Sequence, residues 1–272
     1  MSIITIQRGT KSGGEELARC LAEQLGYPLI GREVLQEAAA QLGVPAEDVG
    51  EKMQERPGRF GRTPLITKLY VAAVRATLAE NSLEGNLVYH GLAGGFLLRK
   101  LPGVLRIRLI APLEYRIQAL MRSHGMNDAA AEAYIKDVDD ARARWVKNVY
   151  GQDNNDPSRY DMVLNLGSFS PAEACEVALT AARRPEFEMT PERLEEVREF
   201  HTTCQVRLAL LEDLGTQTLD LDATVSGGLA VVTGEAPLFN TGEVSKRITE
   251  IAAAVPGVKE VRLAIEWFDP YP

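Results

Sequence analysis

The sequence predicts an α/β fold, a parallel sheet with helices on both faces, followed by a smaller α+β unit. Two observations carry this. Through the first two thirds of the chain, short runs rich in Val, Ile and Leu alternate with segments of helical periodicity, the pattern that places parallel strands in one sheet with helices packed over it. Beyond about residue 205 the pattern changes to alternating apolar and polar residues around a Ser-Gly-Gly turn, which is how half-buried strands read. At 272 residues and 45% hydrophobic content the chain has material for two domains.

In order, SIITI is a first strand, and an amphipathic helix runs from about Gly14 to Leu25. YPLI is a short strand and REVLQEAAAQLG a helix. Gly43, Pro45, Pro57, Gly58, Gly61 and Pro64 punctuate a helix-poor or mobile excursion over 43–64 before the helix LITKLYVAAVRATLAEN. NLVYHG, VLRIRLIA and YDMVLNL are three further strands. Residues 128–150, DAAAEAYIKDVDDARARWVKNVY, are strongly helical with few apolar residues, so an exposed helical arm is expected there. Pro185, Pro191 and a run of acids mark a linker, with Thr190 placed to cap a new helix and Pro191 at its first position. The expected organisation is a domain over 1–185, a linker and helix start over 186–204, and a second domain over 205–272.

In that second domain a helix, TLDLDATV, LAVVTGE, the helical TGEVSKRITEIAAAV and VKEVRLAIEW give the order helix, strand, strand, helix, strand. Gly227 and Gly228 shape a hairpin, Gly234 is expected to end a strand, and Pro256 with Gly257 stop a helix. The tail FDPYP reads as a strand extension.

Charge and cysteine content exclude several classes. A net charge of −8 gives the whole surface no footprint for nucleic acid. Cys20, Cys175 and Cys204 are far apart, odd in number and outside any Cys-x-x-Cys spacing, so neither a disulfide nor a zinc site is expected. The chain enters SIITI without a basic and apolar leader and has no uncharged apolar run long enough to span a bilayer. A cytoplasmic protein is the expectation.

The stretch ITIQRGTKSGGEELA carries the chemistry. A strand enters a loop with glycines at 9, 13 and 14 and leaves into a helix, so backbone amides and a helix N-terminus can face an anion. In G-x-x-x-x-G-K-[ST] the last glycine is followed by Lys and then Ser or Thr; after Gly14 stand Glu15 and Glu16. Arg8 and Lys11, beside and within the loop, are the candidates to replace the lysine. The competing reading is an ordinary strand-turn-helix corner, whose first turn favours acids. His90 follows a strand at the edge where sheet proteins place ligands. A phosphate contact, a role in ordering a water and a structural role all stay open for it, and no partner at ligand spacing gives it a metal. Arg142 and Arg144 lie two apart on the arm with Lys136 and Lys147 near them, either converging on phosphate or paired with Asp137, Asp139 and Asp140 on a solvated face.

The series ITIQRGTKSGGEELARCLAEQLGYPLIGREVL, NLVYHGLAGGFLLRKLPGVLRIRLIAPLEYRIQALM, AYIKDVDDARARW and DPSRYDMVLNLGSFSPAEA resembles the cytidylate kinase-like family over residues 1–185. The resemblance implies a P-loop nucleoside-monophosphate-kinase fold with a helical lid. It implies phosphoryl transfer from ATP, with Mg²⁺, to a nucleoside monophosphate, CMP by analogy. It places the phosphate loop on Gly9, Thr10, Lys11, Ser12, Gly13 and Gly14, with Glu15 where many members have Arg. Acceptor binding falls on Arg32, and His90 and Leu92 replace the Asp and Arg of an Asp-Gly-Arg after the third strand. Arg116, Arg142 and Arg144 match the catalytic arginines before and on the lid. A catalytically impaired nucleotide or anion sensor is the alternative, because two expected chemical positions are altered. Residues 205–267, through VSGGLAVVTGEA and AAAVPGVKEVRLAIEW, resemble a BON domain. That implies a regulatory or oligomerising module with a protein partner or a second copy; no basic amphipathic face accompanies it, so a membrane is not the expected partner.

Overall fold

A computed structural model describes residues 1–45, 64–91 and 93–269. The proposed excursion at 43–64 lies largely outside these residues, as do Leu92 and the last three residues of the tail.

The chain divides into two compact units. The first takes in residues 1–34 and 84–193. Its sheet has five strands, β1 (Ile3–Arg8), β2 (Leu29–Ile30), β3 (Leu87–His90), β4 (Val104–Ile110) and β5 (Met162–Asn165), in the order β2-β3-β1-β4-β5. Every pairing is parallel. β1 is central and buried on both faces: Ile3, Ile4 and Ile6 are buried, as are the polar Thr5 and Gln7 between and after them, which suits a strand of a covered parallel sheet. β1 runs parallel to both neighbours, so at its carboxyl end Ile6 pairs with His90 of β3 and Arg8 with Leu109 of β4.

Helix α1 (Gly14–Leu25) follows β1 directly, with Leu17, Ala18, Leu21 and Ala22 turned to the core. α2 (Glu33–Leu42) and α3 (Leu65–Glu80) precede β3, and the short α4 (Gly94–Leu97) follows it. α5 (Leu113–His124) and α6 (Asp128–Tyr150) come between β4 and β5, and α7 (Pro171–Ala182) packs beside α1 in the same core. α7 starts with a capping box, Ser170 and Glu173 each bonding the other's backbone.

The arm expected to be exposed is α6, and it is anchored near both ends. Ala131 and Ile135 pack with Ile117 and Leu120 of α5. Trp145 is buried and meets Tyr150 edge-on at 5.7 Å, while Tyr150 stacks on Phe96 at 5.5 Å. Four apolar residues at well-chosen positions suffice for this, which is why counting apolar residues underestimates the helix's burial.

The cysteines require a correction. Cys20 of α1 and Cys175 of α7 form a disulfide across 155 residues, and Cys204 is buried outside any disulfide. Spacing could not reveal the pair, because it is the packing of α7 against α1 that makes them neighbours.

The second unit holds residues 35–45, 64–83 and 194–269 of the described chain. It therefore includes α3, which chain order alone assigns to the 1–185 segment; within the unit Arg75 of α3 lies over the Phe200 ring at 5.0 Å. α8 (Pro191–Glu212) begins where Thr190 Oγ1 accepts from the Arg193 amide, and β6 (Asp220–Ser226), β7 (Leu229–Pro237), α9 (Thr241–Ala253) and β8 (Glu260–Phe268) complete the predicted order. β6 and β7 are antiparallel, β7 and β8 parallel. Gly227 and Gly228 make the hairpin with positive φ. Gly234 does not end a strand: it lies inside β7 at φ 141°, where a Cβ would run into the Asp220 carbonyl oxygen and come within 2.9 Å of Leu221 Cα. Only glycine tolerates that approach.

A crosslink closing a long loop restricts the unfolded chain. Adding a reductant is expected to lower the unfolding free energy by about 2–4 kcal/mol, read as a lower denaturant midpoint; a midpoint indifferent to reductant means that the two sulfurs are not bonded.

Candidate phosphate site

The loop between β1 and α1 is held from beneath. Ser12 is buried, and its hydroxyl donates to the Gly9 carbonyl at 2.9 Å. Lys11 and Gly13 take left-handed backbone conformations, φ 56° and 77°, and Gly13 caps α1. The turn so formed leads straight into the N-terminus of a 12-residue helix, whose first amides have no partner within the helix.

Three side chains, from α5 and α6, meet the loop from above. Asp139 of α6 accepts from the Thr10 amide at 3.0 Å and from the Thr10 hydroxyl at 2.8 Å, both through Oδ1. Its other oxygen accepts from Arg116, whose Nε donates to the Thr10 carbonyl at 2.7 Å. Arg142, one turn along α6, donates to the Thr10 hydroxyl at 3.1 Å and lies 3.9 Å from Asp139. A carboxylate thus accepts from a backbone amide, a hydroxyl and a guanidinium, as a phosphate oxygen would. Burial pushes the Asp139 carboxyl up, but the bonds from Arg116 and Thr10 outweigh it and hold the group below its ordinary value.

Arginines surround this point. Arg8, at the end of β1, and Arg142 are each lowered first by burial; Arg32 acts on both, and Arg8 on Arg142, as like charges. Arg108 of β4 is likewise lowered by burial and bonds Asn155 at 2.9 Å. Of the residues singled out in the sequence, the structure brings Arg116 and Arg142 together at Thr10 and leaves Arg32 within electrostatic reach of Arg142. Arg144 is exposed: two residues along a helix is about 200° around it, so Arg144 and Arg142 face different ways. His90 sits beside Gly31, where an added Cβ would come within 2.7 Å of Nε2, and its Nδ1 is buried without a hydrogen-bond partner among the described residues. Burial, then the charge on Arg8, holds His90 below its ordinary value, so it is neutral at pH 7. Glu15 is exposed and pairs with Arg19 one turn on, at 3.0 Å.

Sequence reasoning missed Asp139 and Arg108. Asp139 was legible only as one of three acids in a charged helix, and nothing local distinguishes it from Asp137 and Asp140.

The model of the family described as "Cytidylate kinase-like family" matches residues 3–168. The chain belongs to that family. Among its relatives, a cytidylate kinase of Methanopyrus kandleri is 29% identical over 185 residues, covering 66% of this chain and 92% of the relative. One of Methanoculleus marisnigri is 30% identical over 167 residues, 61% of this chain and 86% of the relative. Among solved structures, an uncharacterized protein from Eubacterium ventriosum superposes with a TM-score of 0.53 at 18% identity, over 66% of this chain and 97% of that one. The last likeness concerns the fold alone. The coverage leaves most of the C-terminal unit outside the family match.

Asp139's depressed carboxyl fixes the sign of a pH effect. Its contribution to stability is complete above its ordinary value of 3.8 and is lost as pH falls below it, through the folded-state value. Asp139→Asn is expected to lower the melting temperature at pH 7 and to lose that deficit under acid conditions. A deficit of the same size at both ends of a pH series would mean that the carboxylate's charge plays no part.

Proposed function

We propose that the first unit transfers a phosphoryl group from ATP to a nucleoside monophosphate, with CMP as the acceptor by analogy to the cytidylate kinases among its relatives. One observation carries the reading: at the mouth of a strand-loop-helix turn the Thr10 amide and hydroxyl and Arg116 donate to a single anionic group, Asp139, with Arg142 3.9 Å from it and bonded to the Thr10 hydroxyl. Transfer of a phosphoryl group asks the protein for positioning and charge, with little covalent chemistry. In this reading the loop Gly9–Gly14 holds the donor phosphates, with Arg116 and Arg142 over the charge in transit. Arg32 and neutral His90 face the acceptor. Arg144, on another face of α6, reaches the phosphates only if the helix turns.

Mg²⁺ arrives with the triphosphate as part of the substrate. Such a hard cation takes oxygen ligands, commonly one or two protein carboxylates beside the phosphates. Glu15 and Glu16, in the first turn of α1, fit that chemistry, and their charge already acts on Arg8. Among the described residues no group of three or more His, Cys, Asp or Glu side chains gathers to hold a metal unaided, so the phosphates would complete the coordination.

A second reading, nucleotide binding without turnover, is favoured by the absence of both Lys and Ser or Thr after the last loop glycine. In that case the C-terminal unit, proposed here as a BON-like regulatory or oligomerising module on the order α8, β6, β7, α9, β8, would pass occupancy to a partner.

The two readings part in one assay. Incubating the chain with ATP, Mg²⁺ and CMP is expected to form ADP and CDP together. Saturable ATP binding with no CDP, and none of the corresponding diphosphate from AMP, UMP or GMP, would replace transfer by sensing.

A further inference from the structure

The pattern G-x-x-x-x-G-K-[ST] fits this loop in two frames. With glycines at 9 and 14, the lysine position holds Glu15. With the frame one residue earlier, Arg8 takes the first glycine position, Gly13 the second, Gly14 the lysine position and Glu15 that of Ser or Thr. The structure favours the second frame, because left-handed Gly13 caps α1 and Gly14 is the first helical residue.

Gly14 is buried, and its φ lies outside the region that demands glycine. What excludes a side chain there is Arg8. A Cβ at position 14 would stand 2.9 Å from Arg8 Cβ and 3.0 Å from Cγ, and closer still to Cδ. The aliphatic stem of Arg8 therefore fills the space from which a lysine at 14 would grow. The head of Arg8 is poorly matched to its surroundings: Nε is buried with no hydrogen-bond partner among the described residues. Burial, and then the charge of Arg32, pulls its pKa down. It also lies at the positive end of a helix dipole, where a cation is disfavoured. Glu15 and Glu16 offset this only in part. A cation held against desolvation, a like charge and a helix dipole is a site for an anion of several charges.

We propose that Arg8, folded back over Gly14, is the phosphate-contacting cation of this loop, in place of the lysine that the pattern puts at 14. The glycine at 14 is then the complement of the arginine at 8: one residue gives up its side chain so that the other can cross the helix start. The assignment rests on the phosphate-transfer reading for the identity of the ligand and has its own test.

Equilibrium binding of Mg-ATP by calorimetry, with melting temperature as a check on folding, decides it. Arg8→Gln is expected to weaken binding at least about tenfold, the loss of a charge-assisted bond to phosphate, and Arg8→Lys to weaken it less. Gly14→Ala, which keeps Arg8 but displaces it, is expected to weaken binding as well and serves if Arg8→Gln does not fold. Arg8→Gly combined with Gly14→Lys returns the cation to the lysine position and is expected to bind more tightly than Arg8→Gly alone. Wild-type affinity in Arg8→Gln, or a double variant no better than Arg8→Gly, overturns the proposal, as does loss of binding in Lys11→Ala with Arg8→Gln unaffected. If ATP binds through Arg8 but no nucleoside monophosphate is phosphorylated, the assignment survives and the transfer reading falls. Turnover that ignores Arg8→Gln has the opposite meaning. A wild-type chain that does not bind ATP loses both.

Discussion

The arrangement depends on a backbone constraint at one corner of the sheet. A strand that ends in a tight turn and restarts as a helix leaves amides pointing outward, with no carbonyls of their own to bond. Here Ser12 fastens the underside of the turn to Gly9, and the upper side, at Thr10, is bonded by a carboxylate from a helix more than a hundred residues further along the chain. The α6 helix, Arg116 and the loop are thereby one hydrogen-bonded assembly centred on Asp139.

Charge balance is what sets that assembly apart from an ordinary structural tie and makes it a candidate anion site. Arg8, Arg32, Arg108, Arg116 and Arg142 act on one another or on Asp139, and burial lowers the pKa of three of them. Gathering like charges in a partly desolvated cleft costs free energy, and one aspartate with two exposed-face glutamates does not balance them. On a chain whose net charge is −8 overall, these five arginines make the corner locally positive, which is the field the proposed phosphate ligand would meet.

The strands were legible because the β1, β3 and β4 segments are apolar runs bounded by turn residues, and burial on both faces leaves no other reading of ITI or LVY. The second unit was legible through alternation and the Gly227-Gly228 turn. What escaped were pairings that exist only in three dimensions. Cys20 and Cys175 are joined by the packing of α1 on α7, and Asp139 reaches Thr10 through the crossing of α6 over the loop. Gly234 looked like punctuation because glycine usually is; inside β7 it answers to the close approach of the Asp220 carbonyl. Arg142 and Arg144 were grouped by their proximity in sequence, and the 100° step of the helix separates them.

The anchoring of α6 bears on how an anion would gain the loop. Ala131 and Ile135 fix one part of the helix to α5, and Trp145 with Tyr150 fixes the other beside Phe96, so Asp139 and Arg142 sit in the stretch between two apolar attachments. Swinging the whole helix away would expose both attachments, at a cost of about 25 cal/mol for each Å² of apolar surface returned to water. Turning the Asp139 side chain about its own χ angles frees the Thr10 amide without breaking either. The arginines need not move with it: Arg116 keeps its bond to the Thr10 carbonyl, and Arg142 stays on the same helical face. A phosphate with more charge than one carboxylate can then take up the vacated donors, and the displaced carboxylate returns to water, where its solvation is favourable. In the phosphate-transfer reading, exchange of one anion for another at these donors would ask for a local rotation alone, and the two apolar attachments of α6 would keep the donors in place.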